Sequence, residues 1–128
     1  MVAIRTATQQ DYEAIKALCL LEGWSSYQRH DINIALDHSV VIVAQDAKKI
    51  IGFIRALSDG QITIFLCEIL VAQEYRRQGV ASLLVEYLHK MFPTARIDLI
   101  SIADEFYENV GFRKIGDGYR KNIFIERS

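Results

Sequence analysis

The amino-acid sequence predicts one α/β domain, in which a mixed, mostly antiparallel, twisted sheet of about seven strands carries helices on both faces. Three observations predict it. Residues 40–71 are a succession of β-branched apolar runs broken by turn residues. Residues 80–91 carry an apolar stripe at helical spacing, directly after the longest of those runs. The chain has 128 residues, one proline and no repeat or linker, which fits a single domain over 1–128.

The elements follow in order. Val2 to Thr6 reads as a short strand. Thr8 followed by Asp11 resembles a capping box with Asp in place of Glu. A helix is expected next, because Tyr12, Ile15, Leu18 and Cys19 share one face, and Gly23 ends it. After the segment GWSSYQRH, residues 31–38 predict a second, weaker helix. Residues 40–45 and 50–57 read as strands joined by a polar turn. Ser58-Asp59-Gly60 is a turn signal before a long apolar strand over 62–71, read as buried on both faces. Val80, Leu83, Leu84, Tyr87, Leu88 and Met91 then mark a helix packed on a sheet, stopped by Pro93. Residues 95–102 read as a fifth strand and 103–109 as a short helix closed by Gly111. Residues 112–115, a Gly116-Asp117-Gly118 turn and residues 119–125 read as a closing hairpin. Strands and helices interleaved in this way build a sheet with helices on both faces.

Composition narrows the function classes. The formal charge is −1, with 51% hydrophobic and 24% charged residues. That balance lacks the basic excess of a nucleic-acid binder. No apolar run approaches the ~18 residues of a membrane helix. The first residues, MVAIRTATQQ, lack the charged leader and apolar stretch of a secretion signal. Cys19 and Cys67 have no CxxC spacing and form neither a metal site nor a disulfide framework, so reduced thiols and a cytoplasmic setting are expected. His30, His38 and His89 lack ligand spacing, and no metal is expected. Asp37-His38-Ser39 are adjacent and cannot adopt triad geometry.

The informative stretch runs from Val71 to Ser82. A buried strand enters a polar turn and then directly the amphipathic helix. The first turn of a helix presents free N–H groups and a positive dipole end, which together bind phosphate. Gly79 and Ala81 keep that backbone bare, and Arg76 and Arg77 add forked donors. No Gly-Lys-Ser/Thr follows, so this is not a P-loop, and one glycine of three excludes a dinucleotide fingerprint. On local chemistry alone, an anion site and a solvated helix start fit equally.

Two motifs carry a resemblance. Tyr75-Arg76-Arg77-Gln78-Gly79-Val80-Ala81-Ser82-Leu83-Leu84 resembles the coenzyme A signature Arg/Gln-x-x-Gly-x-Gly/Ala of the GCN5-related N-acetyltransferase (GNAT) superfamily. Arg76, Gly79 and Ala81 match its fixed positions. Ala103-Asp104-Glu105-Phe106-Tyr107-Glu108-Asn109-Val110-Gly111-Phe112 resembles the Ala-x-x-Phe-Tyr-x-x-x-Gly-Phe block of the same family. The element order matches over nearly the whole chain and the motifs over about 20 residues. Many relatives carry Asn three residues before the alanine of the second motif. Here that position is Ile100, beside Ser101, which puts an asparagine contact to the cofactor arm in doubt.

The resemblance implies a GNAT fold splayed at strands 4 and 5, with acetyl-CoA as co-substrate. The amides of Arg77, Gln78, Gly79, Val80, Ala81 and Ser82, with Arg76, would hold the pyrophosphate. Backbone groups of Ile69, Leu70 and Val71 would pair with the pantetheine arm as an added strand does. An alkyl ammonium with a pKa near ~10.4 must lose a proton before it attacks the thioester. A backbone N–H near Leu70 or Val71 would stabilise the developing oxyanion. Tyr107 is the candidate acid for the departing thiolate, because a phenol of pKa ~10 is protonated at neutral pH. Glu68 is the candidate base, directly or through water. It is the one charged residue within 62–72, and apolar surroundings disfavour the charged form of a carboxylate. Trp24 and Tyr27, and Tyr119 from the opposite wall, are candidates to line the acceptor cleft. Three readings follow. They are acetylation of a small amine, acetylation of a protein lysine or N-terminus, and an acyl-CoA-binding module without turnover. A small amine requires a closed pocket and a protein an open groove. Monomers and homodimers both occur in the family, and the terminal hairpin offers a pairing edge.

Overall fold

A computed structural model of the chain describes residues 1–121. The elements are β1 (Val2–Thr6), α1 (Tyr12–Glu22), α2 (Ser26–Arg29), α3 (Ile32–Asp37), β2 (Val40–Asp46), β3 (Lys49–Ser58), β4 (Thr63–Val71), α4 (Val80–Met91), β5 (Arg96–Asp98) and α5 (Asp104–Asn109). The expected corner before α1 forms. The Asp11 carboxylate accepts the Thr8 N–H at 2.8 Å and both arms of the Arg5 guanidinium at 2.8 Å. The hydrogen bond from Arg5 holds this buried carboxyl below the usual range for aspartate.

The five strands described lie in the order β1-β2-β3-β4-β5. The first four pair antiparallel as a meander, and β5 joins β4 in parallel. A parallel neighbour requires a crossover, and α4 supplies it. Helices cover both faces. On one, Leu84 and Leu88 of α4 lose all solvent contact against Ile42, Ile54 and Ile64. On the other, Ile15 and Cys19 of α1 and Leu36 of α3 pack on Val43, Phe53 and Leu70. Full burial of one such leucine contributes about 1.5–3 kcal/mol, so the α4 stripe is what secures the crossover.

Strand β4 does not alternate strictly. Arg55 pairs with Glu68 and the next residue, Ala56, with Leu66, so Cys67 is an extra residue in a β-bulge. Ile64 and Leu66 pack towards α4, and beyond the bulge Ile69 and Val71 do so. Strict period two would carry Glu68 into the α4 core with Ile64 and Leu66. The bulge turns Glu68 and Leu70 to the face covered by α1, α2 and α3. The expected strand buried on both faces is also corrected, because Phe65 in β4 and Ile62 just before it are exposed.

Three other elements differ from expectation. The segment after α1 contains the one-turn helix α2. The fifth strand is only Arg96–Asp98, paired with Thr63, Ile64 and Phe65. Past Phe65 no pairing between the two continues, and Leu99 to Ile102 carry no strand among the described residues. The closing hairpin is absent from its described part, since residues 112–121 carry no strand and all but Phe112 are exposed. The rest of that hairpin, 122–125, lies outside the described residues.

Candidate active site

The turn between β4 and α4 is built by backbone geometry. A 3-10 turn over Gln73–Tyr75 leads to an extended Arg76. Arg77 and Gly79 then adopt left-handed φ values of 63° and 82°. A non-glycine residue in that region is uncommon and marks a constrained turn. Gly79 is the N-cap of α4, and no side chain caps the helix. Among the described residues, no backbone carbonyl accepts from the amides of Arg77, Gln78 or Gly79. The amides of Val80, Ala81 and Ser82 belong to the first helical turn and have no intrahelical acceptor. All of these residues but Gln78 border a pocket of about 430 Å³ lined by Val71, Tyr75, Arg76, Arg77, Gly79, Val80, Ala81, Ser82 and Phe106.

Most residues expected at the cofactor site therefore converge, with exceptions that have physical reasons. Gln78 does not line the pocket, because its side-chain Nε2 donates to the Glu74 carbonyl at 3.1 Å. Arg76 borders the pocket, but its guanidinium is engaged elsewhere. Its Nε donates to the Val71 carbonyl at 2.9 Å and its Nη2 to Glu22 at 2.7 Å, at the end of α1. Arg76 thus ties the turn to α1. Ile69 packs towards α4, and Leu70 is buried against α1 and α3.

The open edge of β4 is explicit in the ladder. β5 contacts it only as far as Phe65. The Ala72 N–H donates to the Ile51 carbonyl on β3 at 2.7 Å. By alternation the backbone groups of Leu70 face β3, and those of Ile69 and Val71 face the splay. The Arg76 bond to the Val71 carbonyl agrees with that direction and occupies one acceptor of the edge. Gly52 sits opposite Val71, and a Cβ there would lie 3.0 Å from the Leu70 carbonyl oxygen. Only a bare backbone allows β3 this close.

Tyr107 lies half-buried on α5, edge-on to Phe106 at 5.0 Å and to Phe112 at 5.6 Å. Phe106 lines the pocket, so α5 packs beside it. The Tyr107 hydroxyl makes no hydrogen bond among the described residues. Burial pushes the phenol above its usual range. It is protonated at neutral pH and free to donate.

Glu68 is not the isolated carboxylate that its own strand implied. Arg55 on β3 reaches both of its oxygens, Nε to Oε1 at 2.6 Å and Nη2 to Oε2 at 3.0 Å. The Tyr27 hydroxyl also donates to Oε1. The Arg55 and Glu68 side chains are 16% and 11% exposed. Burial pulls the guanidinium down, but the hydrogen bond to Glu68 and its charge outweigh this and leave it raised. Burial first, and then the Glu68 charge, push the Tyr27 phenol far above its usual range. Arg55 was missed in the sequence. Its signal was a lone cation in the apolar run 50–57, matching the lone anion in 62–72.

Tyr27 stacks on Phe53 at 6.5 Å and meets Trp24 edge-on at 5.8 Å. Trp24, Tyr27 and Glu68 are thus brought together. Tyr119 is not, since it is 92% exposed in a segment without strand pairing. Among the described residues, no group of three or more His, Cys, Asp or Glu side chains could hold a metal, and no helix is long and apolar enough to cross a membrane.

Residues 37–114 match the family model described as an acetyltransferase (GNAT) domain. The chain is similar to the GCN5-related N-acetyltransferase 2, chloroplastic, of Arabidopsis thaliana, at 37% identity over 86% of this chain and 53% of that protein, so it spans about half of that relative. It also resembles a solved GNAT family acetyltransferase of Streptococcus pneumoniae TIGR4, with a TM-score of 0.81 and 25% identity over 97% of this chain and all of the other. An aminoglycoside N-acetyltransferase solved in complex with CoA shares the fold, with a TM-score of 0.69 and 21% identity over 94% of this chain and 95% of that one. The family match covers both the turn at Arg76–Ser82 and the Tyr107 helix, and the chain belongs to the GNAT family of acetyltransferases.

Proposed function

We propose that the chain transfers the acetyl group of acetyl-CoA to a primary amine by direct attack in a ternary complex, and that the acceptor is a small molecule. One observation carries the reading. A helix start without a side-chain cap, its amides and those of the preceding turn lacking acceptors among the described residues, opens onto a pocket of about 430 Å³. Such a cradle fits a diphosphate. The CoA complex of the structural neighbour supports the same choice of co-substrate.

Acetyl-CoA supplies an acyl carbon activated as a thioester. The amides of Arg77 to Ser82 receive its pyrophosphate. The free edge at Ile69 and Val71 pairs with the pantetheine arm. The N–H of Val71, rather than that of Leu70, is the candidate donor to the thioester oxygen as it gains charge. Glu68 takes from the ammonium, directly or through one water, the proton it must lose before nitrogen attacks, and nitrogen gives up its second proton as the adduct collapses, replacing the one that Tyr107 donates. Tyr107 gives its proton to the sulfur as the C–S bond breaks.

A small acceptor is favoured because Glu68 is 11% exposed and linked to Tyr27, itself packed on Trp24 and Phe53. The aminoglycoside acceptor in the neighbour's name is of this class. Two free thiols and a chloroplastic relative fit a reducing compartment, cytoplasm or plastid.

The test is thiol release from acetyl-CoA against a panel of amines, polyamines, amino acids and peptides, with the melting temperature read in parallel. Binding to the native state alone raises it by mass action. Turnover of small amines is expected. Turnover of peptides only would reassign the acceptor, and no thermal shift at millimolar acetyl-CoA would defeat the reading.

A further inference from the structure

The ion pair between β3 and β4 is asymmetric about the carboxylate. Glu68 Oε1 accepts from two donors, Arg55 Nε and the Tyr27 hydroxyl. Among the described residues, Oε2 accepts from Arg55 Nη2 alone. A carboxylate oxygen has two acceptor positions. Oε1 is therefore filled and Oε2 keeps one position open. The guanidinium is itself held in place. Its Nη1 donates to Ser39 Oγ at 3.2 Å, and that hydroxyl donates to the Ala35 carbonyl in α3 at 2.6 Å. Among the described residues, Arg55 from β3 and Tyr27 from α2 bond to Glu68, and Cys19 from α1 and Cys67 beside it feel its charge.

We infer that Arg55 is a positioning residue for acyl transfer, fixing the plane of the Glu68 carboxylate so that Oε2 alone can receive the amine proton. This rests on the reading of Glu68 as proton acceptor. The geometry needs a planar fork, since the Nε–Nη2 edge spans both oxygens while Nη1 reaches Ser39. An ammonium is a point charge and cannot fix the carboxylate plane. The bulge at Cys67 and the Arg55 fork act in series. The first puts Glu68 on the α1 face, and the second sets which of its oxygens is available.

Arg55→Lys, Arg55→Gln, Glu68→Gln and the double variant Arg55→Gln/Glu68→Gln are compared for kcat, KM for acetyl-CoA and melting temperature. Arg55→Gln is expected to lose ~100-fold in kcat, a value within the usual range for disabling a general base. Lysine is expected to restore no more than about a tenth of the parental rate, since it returns the charge without the fork. KM for acetyl-CoA should stay within about twofold in every variant. In the Glu68→Gln background, Arg55→Gln should cost less than about threefold more, because a residue acting through another is non-additive with it. Arg55→Lys keeps a cation beside Glu68 and reports even if the glutamine variant fails to fold. Near-parental kcat in Arg55→Lys, or losses that multiply in the double variant, overturns the inference while acyl transfer by the parent stands. Failure of the parent to release thiol with any amine overturns the acyl-transfer reading, and this inference with it.

Discussion

The two halves of the candidate site are made of different materials. The turn at Arg76–Ser82, proposed to hold the cofactor, is a backbone device, with two left-handed residues, bare amides and few side-chain obligations. The cluster at Glu68, proposed for the acceptor side, is a side-chain device, in which residues from β3, β4 and α2 and Ser39 just after α3 interlock. A backbone site depends on which conformations its residues tolerate. A side-chain site depends on which partners the fold delivers. The first should be sensitive to an added Cβ and indifferent to most truncations, and the second the reverse.

The largest expected effect separates the two halves. Glu68→Gln should lower kcat by ~10²–10⁴-fold, the usual range for a general base, with the thermal shift given by acetyl-CoA preserved. If cofactor binding falls as far as turnover, the halves are not separable. Gly79→Val should show the opposite pattern. No atom lies within 4 Å of an added Cβ at Gly79, so its cost is conformational, from φ +82°. Left-handed backbone costs a residue with a side chain about 1–2 kcal/mol. Acetyl-CoA affinity measured by calorimetry should drop about tenfold or more, with kcat at saturation largely kept.

Gly52→Ala sharpens the comparison at the seam between the halves. The added methyl meets the Leu70 carbonyl oxygen, and overpacking against backbone costs about 1–3 kcal/mol. Chemical denaturation should show that loss together with a raised KM for acetyl-CoA, since Leu70 and Val71 must shift. A loss of stability with parental KM would remove the β4 edge from the cofactor site.

The smallest effect concerns how firmly the acceptor side is closed. Cys19 is 1% exposed. Burial, and then the Glu68 charge, push its thiol up to about 12 from 9.0. Native protein at pH 8 should therefore react with iodoacetamide at Cys19 no faster than it unfolds, and mass spectrometry can follow this. Fast labelling would show that α1 opens. The raised folded value means that this thiol favours the native state fully below about 9. That contribution declines as pH rises from 9 towards 12, where the unfolded thiol ionises first.

Much of this was legible in order along the chain. The stripe from Val80 to Met91 announced α4, and Gly79 and Ala81 announced a bare helix start, because both rest on near-neighbour spacing. Glu68 was legible as an outlier but not in its setting. Its strand neighbours are apolar, whereas Arg55 and Tyr27 are 13 and 41 residues away and arrive only through pairing and packing. The bulge at Cys67 was not legible, because an extra residue in one strand is defined only against its partner. Tyr119 is not brought beside Trp24 and Tyr27, since it is exposed in a segment without strand pairing among the described residues.

Residues 1–128 on their own determined the order of elements, the apolar faces and the anion-ready turn, since these depend on conformational preferences and periodicities that each segment carries with it. Tertiary structure alone decided that Glu68 faces α1 instead of α4, that Arg55 and Tyr27 occupy its oxygens, and that Arg76 turns from the pocket to Glu22. Those outcomes depend on register and on charge partners distant in sequence. A buried charge must satisfy itself with whatever the folded chain brings within about 3 Å.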